Sequence, residues 1–319
     1  MSSKERSTFS AGDAEHSAPL TNAFLRAVRL YTYNTPIAKG KYRLAKAAIS
    51  LVKDRPRSIP AAAKDGRRFL VDLSTGMEET VFFLGEYERF ISSIAGRLIR
   101  KDDVCLDVGA NFGWYTTMMA KISGPGGEVH SFEPVPSTFA ILERNRSLQE
   151  DAASIFINNL ALGERDDVLA INVFDDLPTG HATFGRYEGA GATTFECKVT
   201  PLDSYLAERQ VRDISFAKVD IEGAEMMFLR GAESLFRQAE PPIFLMEIAL
   251  GQTKRFGYLP QDLIEHLSKR AEYSFYKVDE VNERLVEIDH FDDDDIGANV
   301  FCIPAQAAGR TAAVISSFC

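Results

Sequence analysis

Four stretches of this sequence set carboxylates at or near the ends of apolar runs, where a folded sheet would present them at its edge. In Val104-Cys-Leu-Asp-Val-Gly-Ala-Asn-Phe-Gly113, Asp107 precedes a turn carrying Gly109, Asn111 and Gly113. Gly127-Glu-Val-His-Ser-Phe-Glu-Pro134 ends on Glu133, and Lys218-Val-Asp-Ile-Glu-Gly-Ala-Glu225 holds Asp220, Glu222 and Glu225 within six residues. The run from Pro242 to Ala249 is almost wholly apolar, with Glu247 its only charge. Unpaired buried charge is penalised, so three acids clustered beside Gly223 are better explained as site residues than as core. An alcohol is a poor nucleophile at neutral pH and needs a base as it attacks, a role that Asp220 first and Glu222 second could fill.

The first two acids speak to a cofactor. A dinucleotide-binding turn sets pyrophosphate against G-x-G-x-x-G and a helix N-terminus, whereas Asp107-x-Gly-x-Asn-x-Gly113 has other glycine spacing and a carboxylate that repels phosphate. Such a loop suits a cation, and S-adenosylmethionine (SAM) carries an ammonium and a sulfonium. Glu133 at the tip of the next strand would accept from the ribose hydroxyls, which any adenosine requires. Acids also cap helices, but two at successive strand tips beside these glycines favour the cofactor reading.

The elements that must position these groups follow from periodicity. Apolar β-formers, then glycines, then an amphipathic segment with Trp114, Tyr115, Met118, Met119 and Ile122 on one face read as strand, turn and helix. Strands are predicted near 68–73, 104–108, 128–133, 154–162, 214–221, 242–249, 273–278 and 298–303. Helices are predicted over 22–33, 41–52, 136–149, 202–209 and 261–270. Val168 to Phe174 and Thr194 to Val199 predict a hairpin standing on the sheet, its link containing His181. A lone loop histidine is usually solvated, and His181 is retained as a substrate-contact candidate.

Taken in order, Asp107-Val-Gly-Ala-Asn-Phe-Gly113, Phe132-Glu-Pro-Val-Pro136, Asn159-Leu-Ala-Leu-Gly163 and Lys218-Val-Asp-Ile-Glu-Gly-Ala-Glu225 resemble the FkbM family of class I SAM-dependent methyltransferases. The resemblance runs from about residue 70 to residue 304. It implies a Rossmann-like α/β fold, with a seven-stranded, mostly parallel sheet and an antiparallel last strand, to which the periodicity adds a helical N-terminal arm and a β-hairpin insertion. It implies that Leu160 and Ala161 line the adenine, and that Tyr87 and Glu88 lie near the cofactor pocket as lid or substrate residues. Glu225 and Glu247 are further substrate candidates. The implied activity is O-methylation of a small molecule such as a sugar, a glycolipid or a secondary metabolite. Two other readings are a nicotinamide-dependent oxidoreductase, which the first loop opposes, and a non-catalytic SAM-fold interaction module, which retention of both acid sets opposes.

Composition sets outer bounds. A net charge of −10 over 319 residues argues against a nucleic-acid substrate gripped through phosphates. Residues 1–70 hold 14 Lys and Arg against 5 Asp and Glu, leaving 22 against 41 for the rest, so arm and body should attract. The expected organisation is a disordered start (1–20), a basic helical arm (21–66), a methyltransferase domain (67–304) and a loose tail (305–319). The arm could pack on the body, mediate a homo-oligomer or touch a membrane surface. Cys105, Cys197, Cys302 and Cys319 show no CxxC pair, and no stretch is apolar enough to span a bilayer or start with a secretory signal, so a cytoplasmic protein is expected. No His-plus-acid set suggests a metal. A divalent ion shared by the acids of 220–225 is conceivable chemistry, whereas the Asp292–Asp295 run reads as a solvated loop.

Overall fold

The computed structural model describes residues 19–35, 40–150, 152–174, 182–184, 192–291 and 297–319. Residues 1–18, His181 and the Asp292–Asp295 loop lie outside the described residues. The chain divides into two units, Met1–Glu86 and Tyr87–Cys319.

In the first unit, α1 (Pro19–Asn34) and α2 (Lys41–Ser50) are followed by a hairpin of β1 (Ile59–Ala62) and β2 (Arg68–Val71) and by α3 (Gly76–Leu84). Residues 68–71, expected to begin the catalytic domain, instead pair antiparallel with β1, Ile59 opposite Val71. The arm unit therefore extends to Glu86 rather than ending at 66. Thr75 caps α3 by accepting from the Glu78 N–H, and Gly85 ends it at φ +69°, a conformation open to a residue without Cβ. One face of each arm helix is buried, through Leu25 and Thr32 on α1 and Ala45, Ala48 and Ile49 on α2. Thr32 Oγ1 donates to Phe83 O (2.6 Å) and Arg29 Nε to Phe82 O (2.7 Å), which seats α1 on α3.

The second unit runs α4 (Arg89–Leu98), β3 (Val104–Val108), α5 (Trp114–Ser123), β4 (Glu128–Phe132), α6 (Pro136–Ser147), β5 (Ser154–Asn158), β6 (Ala161–Leu162), β7 (Asp167–Phe174), β8 (Ala182–Phe184), β9 (Ala192–Thr200), α7 (Leu202–Arg209), β10 (Ile214–Val219), α8 (Glu225–Arg230), β11 (Ile243–Ala249), α9 (Leu250–Arg255), α10 (Pro260–Ser268), β12 (Tyr273–Asp279), β13 (Arg284–Ile288), β14 (Gly297–Pro304) and α11 (Ala308–Ser316). The main sheet has the order β13-β12-β14-β11-β10-β3-β4-β5. From β11 to β5 neighbouring strands are parallel, and β14 is inserted antiparallel between β11 and β12. Among the described residues the sheet has eight strands rather than seven, because Arg284–Ile288 turns back on β12 as an added edge.

Burial explains the strand composition. Every residue of β3 except Val104 is buried, as are the first four of β11, and parallel strands covered on both faces read as continuous apolar runs. Phe132, Phe216, Phe228, Phe244 and Phe301 are essentially inaccessible. Each such ring contributes about 1.5–3 kcal/mol by leaving water, so truncating one costs more than any surface contact described here.

Three expectations need correction. The insertion exceeds a hairpin: β7 and β9 pair antiparallel, and β8 and β6 extend them into a four-stranded sheet in the order β6-β9-β7-β8. The run 154–162 divides between this sheet and the main one, because the chain turns at 159–160. Nor is the segment after Pro304 loose. It forms a 3₁₀ turn and α11, burying Ala307, Thr311 and Ile315, with the Phe318 ring set edge-on to Phe90 at 5.5 Å. Its small residues carry no strong helical stripe, and it is held by these buried side chains, an Arg310–Glu240 ion pair and the Leu285 N–H donating to Phe318 O.

Candidate active site

Sheet order creates the site. From β3 the chain steps outward through β4 and β5, then returns to place β10 and β11 on the other side of β3. The crevice above β3 and β10 is thus a topological switch point, where ligands of open α/β sheets bind beyond the carboxyl ends of the strands. Asp107, Glu133, Asp220 and Glu247 all lie at these ends.

Glu133, 6% exposed, is held by backbone: Oε2 accepts from Asn111 N and Oε1 from Val135 N, both at 2.9 Å. Burial dominates these favourable bonds and raises its carboxyl pKa to about 7. Asn111 adopts φ +49°, and its Oδ1 accepts from Phe112 N at 2.8 Å, stabilising the left-handed turn locally. Asn159 Nδ2 donates to Glu133 O (2.9 Å), so the segment leaving β5 braces the same tip.

The glycines are explained by the chain's own crowding. A Cβ on Gly109, at φ +84°, would lie 1.9 Å from Asp220 O, and one on Gly113 would lie 2.8 Å from Leu142 Cδ1. The chain's own packing therefore requires both glycines, and the Gly109 turn must pass the end of β10.

Lys218 is the residue that sequence reasoning missed. It sits opposite Asp107 in the β10–β3 register, is 5% exposed, and donates from Nζ to Asp220 Oδ2 at 2.8 Å. Its ammonium lies 4.9 Å from the Tyr115 ring centroid. Burial alone would lower its pKa, but the carboxylates of Asp220, Asp107 and Glu88 outweigh burial and hold it above the usual lysine range. Asp107, 1% exposed and accepting from Thr116 Oγ1 at 2.5 Å, is raised by burial and lowered by Lys218. The cation that Asp107 feels is therefore supplied from within the protein. A lone lysine in the apolar run Ile214-Ser-Phe-Ala-Lys-Val219 was the available signal.

Asp220 and Glu247 form a hydrogen-bonded pair at neighbouring strand ends. The Asp220 charge, then burial, drives the Glu247 carboxyl well above the carboxylate range. Glu222 stands at φ +56° and accepts from Gln252 Nε2. Glu225, 1% exposed, points inward: Oε1 accepts from Gly223 N (3.1 Å) and Ile221 N (3.3 Å), and the Tyr258 hydroxyl meets Oε2 at 2.9 Å. It fastens the turn after β10, and burial raises its pKa to about 7.

Tyr87 and Glu88 do reach this cluster. The Tyr115 hydroxyl donates to Glu88 Oε2 at 2.6 Å, and the Tyr87 ring meets Trp114 edge-on at 6.3 Å. Burial, then the Glu88 and Asp220 charges, lift the Tyr87 phenol far above its ordinary value. Ser92 couples these parts, donating to Tyr87 O (2.9 Å) and accepting from Trp114 Nε1 (3.0 Å). Leu160 is half-buried against the main core, while Ala161 is buried with Val135, Ile171, Cys197 and Val199. Among the described residues no group of three His, Cys, Asp or Glu is arranged to hold a metal ion, and no helix is long and apolar enough to cross a membrane.

Comparisons with known proteins speak to the family of the chain. Methyltransferase 1 of Beauveria bassiana is 29% identical over 150 residues, covering 41% of this chain and 59% of that protein. The 31-O-demethyl-FK506 methyltransferase FkbM of Streptomyces tacrolimicus is 28% identical over 185 residues, covering 48% of this chain and 70% of that one. The chain thus spans about three fifths of the first relative's length. A SAM-dependent O-methyltransferase structure from Thermotoga maritima aligns at 13% identity over 78% of this chain and 93% of its own, with a TM-score of 0.36, too distant to speak to chemistry. The Methyltransferase FkbM domain matches residues 107–275, from the first acid through β10, β11 and into β12. The chain belongs to the FkbM methyltransferase family.

Proposed function

We propose that this methyltransferase uses SAM and methylates a hydroxyl of a small molecule, such as a sugar unit or a secondary metabolite. The observation that carries the reading is the anchored carboxyl of Glu133 in the same crevice as the Asp220–Glu247 pair. A carboxylate offers about four acceptor sites. With one backbone N–H on each oxygen, Glu133 keeps capacity for the two hydroxyls of a ribose. Leu160, Ala161, Asn111 and the Gly109–Gly113 turn complete the proposed cofactor set, with Asp107 acting from beneath through Lys218. SAM, when bound, supplies a methyl group already activated by its sulfonium, which leaves the protein to align and to manage one proton.

Asp220 is the proposed base. It takes the acceptor's hydroxyl proton as the oxygen attacks, with Glu222 as the second candidate. Glu247 and Lys218 hold Asp220 in place, and Tyr87 and Glu88 border the acceptor side. The relative named for 31-O-demethyl-FK506 supports an oxygen acceptor.

Calorimetry of the full chain with SAM, S-adenosylhomocysteine, NAD and NADP tests the cofactor. SAM and its product should bind and the nicotinamides should not. Glu133→Ala should lose about 2 kcal/mol of SAM affinity in a folded protein, the order of charge-assisted hydrogen bonds. Nicotinamide binding, or unchanged SAM affinity in the variant, would overturn the assignment. Transfer of labelled methyl from SAM to a panel of hydroxyl compounds, with amine analogues beside them, tests the acceptor.

A further inference from the structure

The arm helices bury one side and leave the other apolar. On α1 the residues facing α3 are Leu25, Arg29 and Thr32, and the opposite face carries Phe24, Ala27, Leu30 and Tyr31. On α2 the buried Ala45, Ala48 and Ile49 are opposed by Leu44, Ala47 and Leu51. Leu30 is 68% exposed and Leu51 76%; with Phe24, Tyr31, Tyr42 and Leu44 they are six of the ten exposed large hydrophobics among the described residues. So strong a concentration marks an interaction surface, since scattered single residues are what a neutral surface shows.

Charge selects the occupant. Between Pro19 and Lys53 the sequence holds no Asp or Glu, while Arg26, Arg43 and Lys53 are exposed beside the apolar stripe. Two such cationic faces repel each other, which disfavours a second copy docked face to face. A surface that combines exposed leucines and aromatic rings with cations and no acid matches a bilayer whose headgroups are negative.

We propose that the outward face of α1 and α2 lies on the surface of membranes containing anionic phospholipid. Apolar side chains enter the headgroup boundary, and the arginines and Lys53 meet lipid phosphates. The α3 side stays on the protein, so the surface requires no unfolding of the arm.

Co-sedimentation of the full chain with phosphatidylcholine vesicles, with and without 30 mol% phosphatidylserine, tests this. Binding should need the anionic lipid and weaken between low and high salt. Each surface cation is worth about fivefold in partitioning, so Arg26→Gln with Arg43→Gln should lower it roughly 25-fold. Leu30→Glu with Leu51→Glu should abolish binding while circular dichroism, melting and SAM affinity stay at parental values. Failure of the parent to bind either vesicle overturns the proposal. So does a parent that is dimeric by light scattering, binds no vesicles and becomes monomeric in the leucine variant, for then the face joins two copies.

Discussion

Lys218 Nζ lies 2.8 Å from Asp220 Oδ2 while Lys218 itself stands across the ladder from Asp107, so one buried ammonium serves acids at two strand ends. Removing that charge leaves Asp220, Asp107 and Glu88 to repel one another in a poorly solvated crevice. Lys218→Met should cost about 3–5 kcal/mol of stability, the range for breaking a buried pair. Urea unfolding checks it, and a variant within 1 kcal/mol of the parent would show that the acids neutralise by taking up protons instead.

Asp220→Asn keeps size and polarity but removes the proposed base. Turnover should fall about two to four orders of magnitude with little change in SAM affinity. Loss of SAM binding with no separate rate effect would move Asp220 into the cofactor site and leave Glu222 as the leading base. Asp220→Asn also removes the charge that raises the Glu247 carboxyl, so that carboxyl should titrate lower in the variant, readable by carboxyl NMR.

Gly109→Ala should destabilise by about 2–3 kcal/mol, since its Cβ meets Asp220 O at 1.9 Å and the left-handed backbone tolerates no side chain cheaply. Gly251→Ala, where a Cβ meets nothing within 4 Å, is the control and should cost nothing. Comparing the two in thermal melts separates crowding by β10 from occlusion of a cofactor, because the melts need no ligand.

Glu225 predicts a pH dependence. Its carboxyl is raised by burial to about 7 from an ordinary value near 4.5, so the folded state binds the proton more tightly than the unfolded state does. This stabilisation is fully present below about 4.5 and is lost as pH rises through about 7. Glu225→Gln, which can still face Tyr258 and the Gly223 N–H, should shrink the fall in melting temperature between pH 5 and pH 8. A variant with the parent's pH slope would assign that slope to other groups.

The parallel strands and the acid-tipped loops were legible because burial on both faces forces continuous apolar runs, against which an acid stands out. Glu133 and Asp220 emerged at strand ends for that reason. Asp107 was placed correctly but its counter-charge was not, since pairing with Lys218 comes from sheet register across a gap of more than a hundred residues. Glu225 read as a site acid, yet its oxygens are directed to backbone N–H groups by a turn whose shape depends on Glu222 at φ +56°. The last edge strand and α11 escaped because short, half-exposed elements carry little periodicity and owe their order to the surface that they dock against.

The ladder between β3 and β10 has a kinetic consequence. Its paired residues Val108 and Val219 are about 110 positions apart, with β4, β5 and the whole inserted sheet between them. Closing so long a loop is entropically slow, and neither strand end has its full complement of neighbours until it closes. The crevice should therefore be among the last parts of the chain to form during folding. Nascent chains that have not yet emerged past β10 should have no ligand affinity at all, which makes cofactor capture a readout of completed folding rather than of partial structure.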